Sequence, residues 1–269
     1  MLRLKRKLLI YLAIVVVPLS AASATGEQNY HAQYKAYVSG LKIANIDVQF
    51  KLPVGGFHLS ANAQAAGVGR LFSSSSAESH SFGQITNGQL EPVGVSIAWK
   101  QSDEIRKSEI SYTNGAPSGF YSDYALPPER QPKTPVALET VGRGTNDPFL
   151  AMLGQISDDD LSSVCRLPKR LFDGRRLANL RPQKMQLIAA DEHGLDVAGP
   201  VVKCETKWLP VAGYSEESMQ NAGEFDTVSI YFARIAGTDY AAPVKAVTST
   251  RYGRFTVIAD KFFTSSETK

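Results

Sequence analysis

Apolar and polar residues alternate along most of this chain with a period of two, the spacing of a strand that buries one face. Tyr34, Ala36 and Val38 alternate with Gln33, Lys35 and Tyr37. Leu41 and Ile43 then fall on odd positions, but Ile46, Val48 and Phe50 fall on even ones. A slip of one residue turns side chains to the opposite face, so the change of phase near Ala44 and Asn45 predicts a bulge. Phe57, Leu59, Ala61, Ala63 and Ala65 oppose His58, Ser60, Asn62 and Gln64, and Val93, Val95, Ile97 and Trp99 repeat the pattern. Val201 to Trp208, Phe225 to Ile235, Val244 to Thr250 and Arg254 to Phe263 supply four more strand-like runs. About ten to fourteen strands follow at the usual spacing.

The punctuation agrees. Asn87-Gly88, Asn114-Gly115 and Asp173-Gly174 are two-residue hairpin signals, because these pairs tolerate the positive φ of a type I′ turn. Pro53-Val54-Gly55-Gly56 marks another reversal, and prolines otherwise read as rare inside the alternating runs. Tyr124 to Pro135, with four prolines, predicts a long exposed loop. One segment departs from the strand period. Asp147 before Pro148, with apolar residues three and four apart after it, predicts a short helix to about Ile156. Asp158-Asp159-Asp160 before Leu161 looks like a second helix start, with acids at the positive end of the dipole. The predicted fold is all-β with one short central helix: a curled antiparallel sheet or half-open β-barrel, because a sheet this long must hide its edges.

Charge changes the picture of where this domain begins. The chain has 269 residues with 29 basic and 26 acidic side chains. Arg3, Lys5, Arg6 and Lys7 precede an apolar run from Leu8 to Val17 and the small residues Ala22-Ser23-Ala24. That is the pattern of a secretory signal peptide cleaved after Ala24, and the run is shorter than the roughly 18 residues of a membrane span. The expected organisation is a signal peptide over 1–24 and a single β-barrel-like domain over 25–269, exported to the periplasm without a transmembrane anchor. Removal of the first 24 residues leaves 25 basic against 26 acidic residues, a near-neutral chain with no global attraction for nucleic acid. Cys165 and Cys204 are the only cysteines, and an even count in an oxidising compartment reads as a disulfide staple, worth roughly 4 kcal/mol.

The chain resembles a family of exported bacterial proteins, domain-of-unknown-function family 3108. The features that carry the likeness are Gly144-Thr145-Asn146-Asp147-Pro148, Cys165, Leu171-Phe172-Asp173-Gly174-Arg175-Arg176, Gly199-Pro200-Val201-Val202-Lys203-Cys204, Ala212-Gly213-Tyr214, and Pro243 with Tyr252-Gly253. The resemblance implies an exported, mostly antiparallel β-protein and assigns no reaction. Curled-sheet envelope proteins of this general kind include lipid and lipoprotein carriers, a likeness of fold that does not settle function.

Candidate chemistry thins out on inspection. Ser39-Gly40-Leu41-Lys42, Tyr112-Thr113-Asn114 and Lys133-Thr134-Pro135 imitate the three motifs of a serine acyl-enzyme, but Ser39 and Lys42 lie in strand pattern and a three-residue offset places them on opposite faces. His31, His58, His80 and His193 form no ligand pair, and the Asp158 to Asp160 run lacks a calcium-loop pattern, so no metal or other cofactor is expected. Gly67-Val68-Gly69-Arg70 leads into a Ser-rich stretch rather than a helix, which argues against a dinucleotide fold. No catalytic constellation emerges, and the expected protein is not an enzyme.

One charge feature stands out. Between Arg166 and Lys184, in the stretch after the first cysteine, Arg166, Lys169, Arg170, Arg175, Arg176, Arg181 and Lys184 accompany a single acid, Asp173. A solvated hairpin is the plainer reading; the sharper one makes Arg170, Arg175, Arg176 and Arg181 an anion contact for lipid, lipopolysaccharide or peptidoglycan groups. The barrel interior then has two possible uses: it holds an acyl chain or other apolar ligand, or it is filled and the protein is a scaffold for peptidoglycan or a membrane-protein partner. N-terminal sequencing of exported protein is expected to begin at Thr25, and denatured, unreduced protein to titrate no free thiol; two titratable thiols overturn the staple.

Overall fold

The computed structural model describes residues 28–72, 74–101, 104–166, 169–219 and 227–265. The expected signal peptide and residues 225 and 226, at the start of one expected run, lie outside these residues. Seven strands form an antiparallel meander: β1 (Gln28–Val38), β2 (Leu41–Leu52), β3 (Gly56–Ala65), β4 (Ser76–Thr86), β5 (Gln89–Gln101), β6 (Glu104–Thr113) and β7 (Ala116–Ser122). Two short pieces, β8 (Thr145–Asn146) and β9 (Gly154–Gln155), precede a second meander. That meander comprises β10 (Lys169–Phe172), β11 (Leu177–Ile188), β12 (Val201–Ala212), β13 (Val228–Arg234), β14 (Tyr240–Thr250) and β15 (Gly253–Ser265). β1 pairs with both β2 and β15, so the first and last strands join two meanders into one fifteen-stranded sheet. The expected all-β, half-open barrel is the fold observed.

Among the described residues seven β-bulges bend this sheet, each adding one unpaired residue to a strand. Five of the extra residues directly follow a proline: Val93, Ser118, Gln183, Val211 and Val244 follow Pro92, Pro117, Pro182, Pro210 and Pro243. Prolines are therefore not excluded from the strands, as the alternation suggests; they sit where the missing N–H is accommodated by a bulge. Val93, on its bulge, is exposed instead of buried with Val95. The bulge expected near Ala44 lies one residue earlier, at Ile43, where the carbonyls of Lys42 and Ile43 accept the N–H groups of Val68 (3.1 Å) and Ala66 (2.8 Å). A single helical turn, Gly69–Phe72, follows there, where the sequence reading expected no helix.

Asn87-Gly88 and Asn114-Gly115 adopt positive φ at both positions, as type I′ turns require, and so does Ser39-Gly40. Asp173-Gly174 does not form a two-residue turn. Phe172 pairs with Leu177 across a four-residue tip, because the Asp173 carboxylate accepts the N–H groups of Arg175 (3.0 Å) and Arg176 (2.7 Å).

The ends of the sheet, β7 and β8, are not zipped by a strand ladder. Gly144 N–H donates to Gly115 O at 2.9 Å, and among the described residues the rest of the contact between these ends is made by side chains. Arg175 reaches from the β10–β11 tip to donate to Tyr124 O (2.6 Å) and Ser122 Oγ (2.9 Å), its guanidinium 4.5 Å from the Tyr124 ring centre. Phe172 and Leu177 pack with Val95, Ile110 and Tyr112 behind it. Gly174 must be glycine: its φ is 92°, and a Cβ there would stand 2.2 Å from the Phe120 ring.

The segment between β8 and β10 fills the roll. The expected helix to Ile156 is a single 3-10 turn, Leu150–Met152, because the next residues find a strand partner: Gly154 and Gln155 pair with Ala241 and Tyr240. Leu150 and Leu153 pack among Tyr30, Phe50, Phe57, Leu59 and Tyr240. A second 3-10 turn, Leu161–Cys165, is capped by Asp160 and carries Cys165 to Cys204 on β12, with Cα atoms 5.5 Å apart. Of the two uses open to the interior, this region is filled.

Asp147 anchors the segment. It is fully buried, and its Oδ1 accepts Phe149 N–H (2.9 Å) and Leu150 N–H (3.0 Å) while Oδ2 accepts Ser81 Oγ (2.9 Å). Burial pushes the carboxyl above its ordinary range, and these bonds offset part of that cost. Asp147→Ala leaves buried donors unpaired and is expected to cost about 2–4 kcal/mol in urea denaturation, whereas Asp147→Asn, which keeps the acceptor, costs about 1 kcal/mol or less. Equal losses in the two variants contradict the anchoring role.

Candidate functional site

Of the seven cations from Arg166 to Lys184, six separate into two groups in space, and Lys184 stands apart, opposite Glu205 in register. Arg175 and Arg176 stand at the hairpin tip with partners of their own: Arg175 closes the seam, and Arg176 Nε donates to Asp173 Oδ2 at 2.7 Å and lies over the Tyr214 ring. Arg170 and Arg181 lie further down the β10–β11 hairpin. With Arg166, Lys169, Asn179 and Pro182 they line an open pocket of about 500 Å³, and none of these lining residues is a carboxylate. Of the four arginines singled out in the sequence, two therefore share a pocket and two serve the tip. Lys169 and Arg166, the other cations of the pocket, belong to the same basic run.

Each cation arrives by a different route. Arg166 follows the capped 3-10 turn and pairs with Asp160, whose oxygens also accept Ser162 N–H and Ser162 Oγ at 2.9 Å each. These Ser162 bonds, with Arg166, hold the Asp160 carboxyl below its usual range. Arg170 pairs across the hairpin with Asn179; its Nη2 donates to Thr140 O at 3.3 Å, while its Nε is buried with no partner among the described residues. Arg181 is exposed at the pocket edge.

Lys169 forms the floor. Its Nζ donates to Ala151 O (2.6 Å) and Leu153 O (2.8 Å), the carbonyls that end the interior 3-10 turn, and lies 5.6 Å from the Phe232 ring centre. The same side chain borders a rim cleft of about 430 Å³ between the β4–β5 and β6–β7 turns and the interior segment. Burial pushes its amine down to about 8. A neutral amine has two N–H groups, matched by the two carbonyls; an ammonium has a third, left for the pocket.

No protein-family model matches the chain, and no curated protein matches its sequence. The chain is similar to a β-barrel-like protein of unknown function. That solved structure, of the domain of unknown function DUF1849 from Brucella abortus, matches over 89% of this chain and 98% of its own, with a TM-score of 0.49 and 10% sequence identity. The finer resemblance to family 3108 has no matching family model behind it; the neighbour found belongs to another domain of unknown function.

The remaining sequence candidates lie apart from the basic pocket. Ser39 is in the β1–β2 turn and donates to Tyr252 O, Tyr112 is buried in the interior, and Lys133 is exposed and paired with Glu216. Asp159 pairs with Arg234, and Asp158 and Asp159 take positive φ in a turn. Among the described residues no cluster of three His, Cys, Asp or Glu side chains could hold a metal, and no helix is long and apolar enough to cross a membrane. The histidines are less isolated than their spacing suggests: His31 meets Asp47 at 2.7 Å, His80 meets Glu78 at 2.9 Å, and His58 lies 6.4 Å from His80 between ring centres. Cross-strand register, invisible as a motif, makes the His31 and His58 contacts, while His80 and Glu78 stand two apart on one face of β4.

Lys169 makes stability depend on pH. Between its folded value of about 8 and the ordinary 10.5, the unfolded chain holds a proton that the folded chain has released, so stability rises with pH across that window. Lys169→Met is expected to remove the rise; parallel stability curves for the two proteins from pH 8 to 10.5 rule it out.

Proposed function

We propose that this chain is an exported, non-catalytic protein of the bacterial envelope that binds an anionic envelope component at the basic pocket beside β10 and β11. The observation that carries the reading is the convergence of Arg166, Lys169, Arg170 and Arg181 on one open space. Arginine forks and a spare ammonium N–H suit a phosphate or carboxylate. In the periplasm such groups sit on lipid headgroups, lipopolysaccharide and peptidoglycan. The basic n-region, apolar run and Ala22-Ser23-Ala24 support export, and the disulfide is in keeping with it. A headgroup held outside fits better than an acyl chain held inside, because Leu150 and Leu153 already occupy the roll. In this reading Arg175 and Arg176 shape the hairpin tip and do not contact the ligand.

An anion that engages the third N–H of Lys169 favours the ammonium, so affinity falls as pH rises above about 8. Co-sedimentation with phosphatidylglycerol vesicles, beside phosphatidylcholine vesicles and a titration with inorganic pyrophosphate, tests the site and separates a lipid surface from a free phosphate. Arg170→Glu combined with Arg181→Glu is expected to weaken anion binding about tenfold or more, and Arg176→Glu to leave it nearly unchanged. Undiminished binding by the double variant, or binding that does not fall above pH 8, removes the proposal.

A further inference from the structure

A further concavity lies on the face of β1–β4 that points away from the core. The outside of a rolled sheet is ordinarily convex; here it forms an open trough of about 650 Å³. Bulges on both sides of β1, at Ile43 of β2 and Asp260 of β15, supply the local bend.

Most of the trough's ionisable groups already have a partner; Lys42 makes no ion pair among the described residues but lies close enough to help Lys35 hold the Asp260 carboxyl below its usual range. Asp260 pairs with Lys35, Glu78 with His80, and Asp47 with His31. Beside Lys42 stands a set of neutral groups that both donate and accept: Asn45, Gln49, Ser60, Asn62 and Gln64 make no side-chain hydrogen bond among the described residues. They stand in cross-strand register, Gln49 opposite Ser60 and Asn45 opposite Gln64, with Asn62 opposite Asp47 between them. Strand spacing and the period of two therefore set amides and a hydroxyl on a rigid grid. Beyond His80, at one end, His58 stacks on Phe82 with ring centres 6.1 Å apart, and Phe82 is 43% exposed.

We infer that this trough binds a neutral glycan strand bearing hydroxyl and acetamido groups. Acidic and basic side chains interleave in the lining and leave no single-sign field for an ionic ligand, the neutral amides and hydroxyl match acetamido and hydroxyl groups, and the exposed Phe82 and His58 rings offer a face to sugar C–H groups. The trough is open to solvent and its lining spans β1–β4. It shares no lining residue with the basic pocket, and either site can fail without the other.

The probe is a β-1,4-linked tetrasaccharide of N-acetylglucosamine, titrated into ¹⁵N-labelled full-length protein. Saturable shifts are expected in the side-chain NH₂ signals of Asn45, Gln49, Asn62 and Gln64, and not in the amides of β10 and β11. Gln49→Ala combined with Asn62→Ala, at two exposed positions, is expected to weaken binding about tenfold with an unchanged thermal midpoint, and Phe82→Ala several-fold. Absence of saturable shifts at millimolar sugar, or equal affinity in the double variant, overturns the inference.

Discussion

A sheet of this length that does not close by a ladder has two exposed edges, and an exposed edge is a template for pairing with another chain. Hiding those edges is the constraint on which the rest of this structure depends. The β1–β15 pairing joins the chain ends in the middle of the sheet, so the edges fall to β7 and β8, and residues 123–144 connect one edge to the other. Among the described residues the seam is then made by one backbone bond, the Arg175 guanidinium on Tyr124, and the packing of Phe120 against Gly174 and Phe172. A ladder requires register; this seam requires only that a hairpin tip reach across, which explains why the tip is four residues long and tied by Asp173.

The same constraint decides the fate of the interior. A roll of strands carrying small residues such as Ala61, Ser79 and Ser81 on its inner face needs filling, and the chain supplies its own filler between β8 and β10. Buried Asp147 fixes the start of that segment, the β9 bridge to β14 its middle, and the Cys165–Cys204 bond its end. Lys169 completes it by donating to the carbonyls of Ala151 and Leu153. The basic pocket is thus built on the last fastening of the interior segment, and the charge state of one amine belongs both to stability and to any anion that reaches it.

Much of this was legible in the residues themselves. Period-two alternation, Asn-Gly turns and the even cysteine count depend on local geometry and chemistry, and the strands, two of the turns and the staple follow them. The Pro-to-bulge regularity was equally present in the sequence but reads as an interruption of strands until register shows the next residue unpaired. The Leu150 helix was misjudged in length because helical spacing is a local preference, and a β-bridge to Tyr240 and Ala241, more than eighty residues away, outcompetes it.

Composition and spacing alone determined an all-β chain with a concentration of cations between two cysteines. They could not say which of those cations share a space, because charge density along a chain is one-dimensional and a hairpin sends its tip and its stem to different places. Tertiary structure assigned Arg175 to the seam and gathered Arg166, Lys169, Arg170 and Arg181 around one pocket. It also filled the roll and brought Asn45, Gln49, Asn62 and Gln64 onto one concave face, since those outcomes rest on cross-strand register and long-range closure rather than on any local preference.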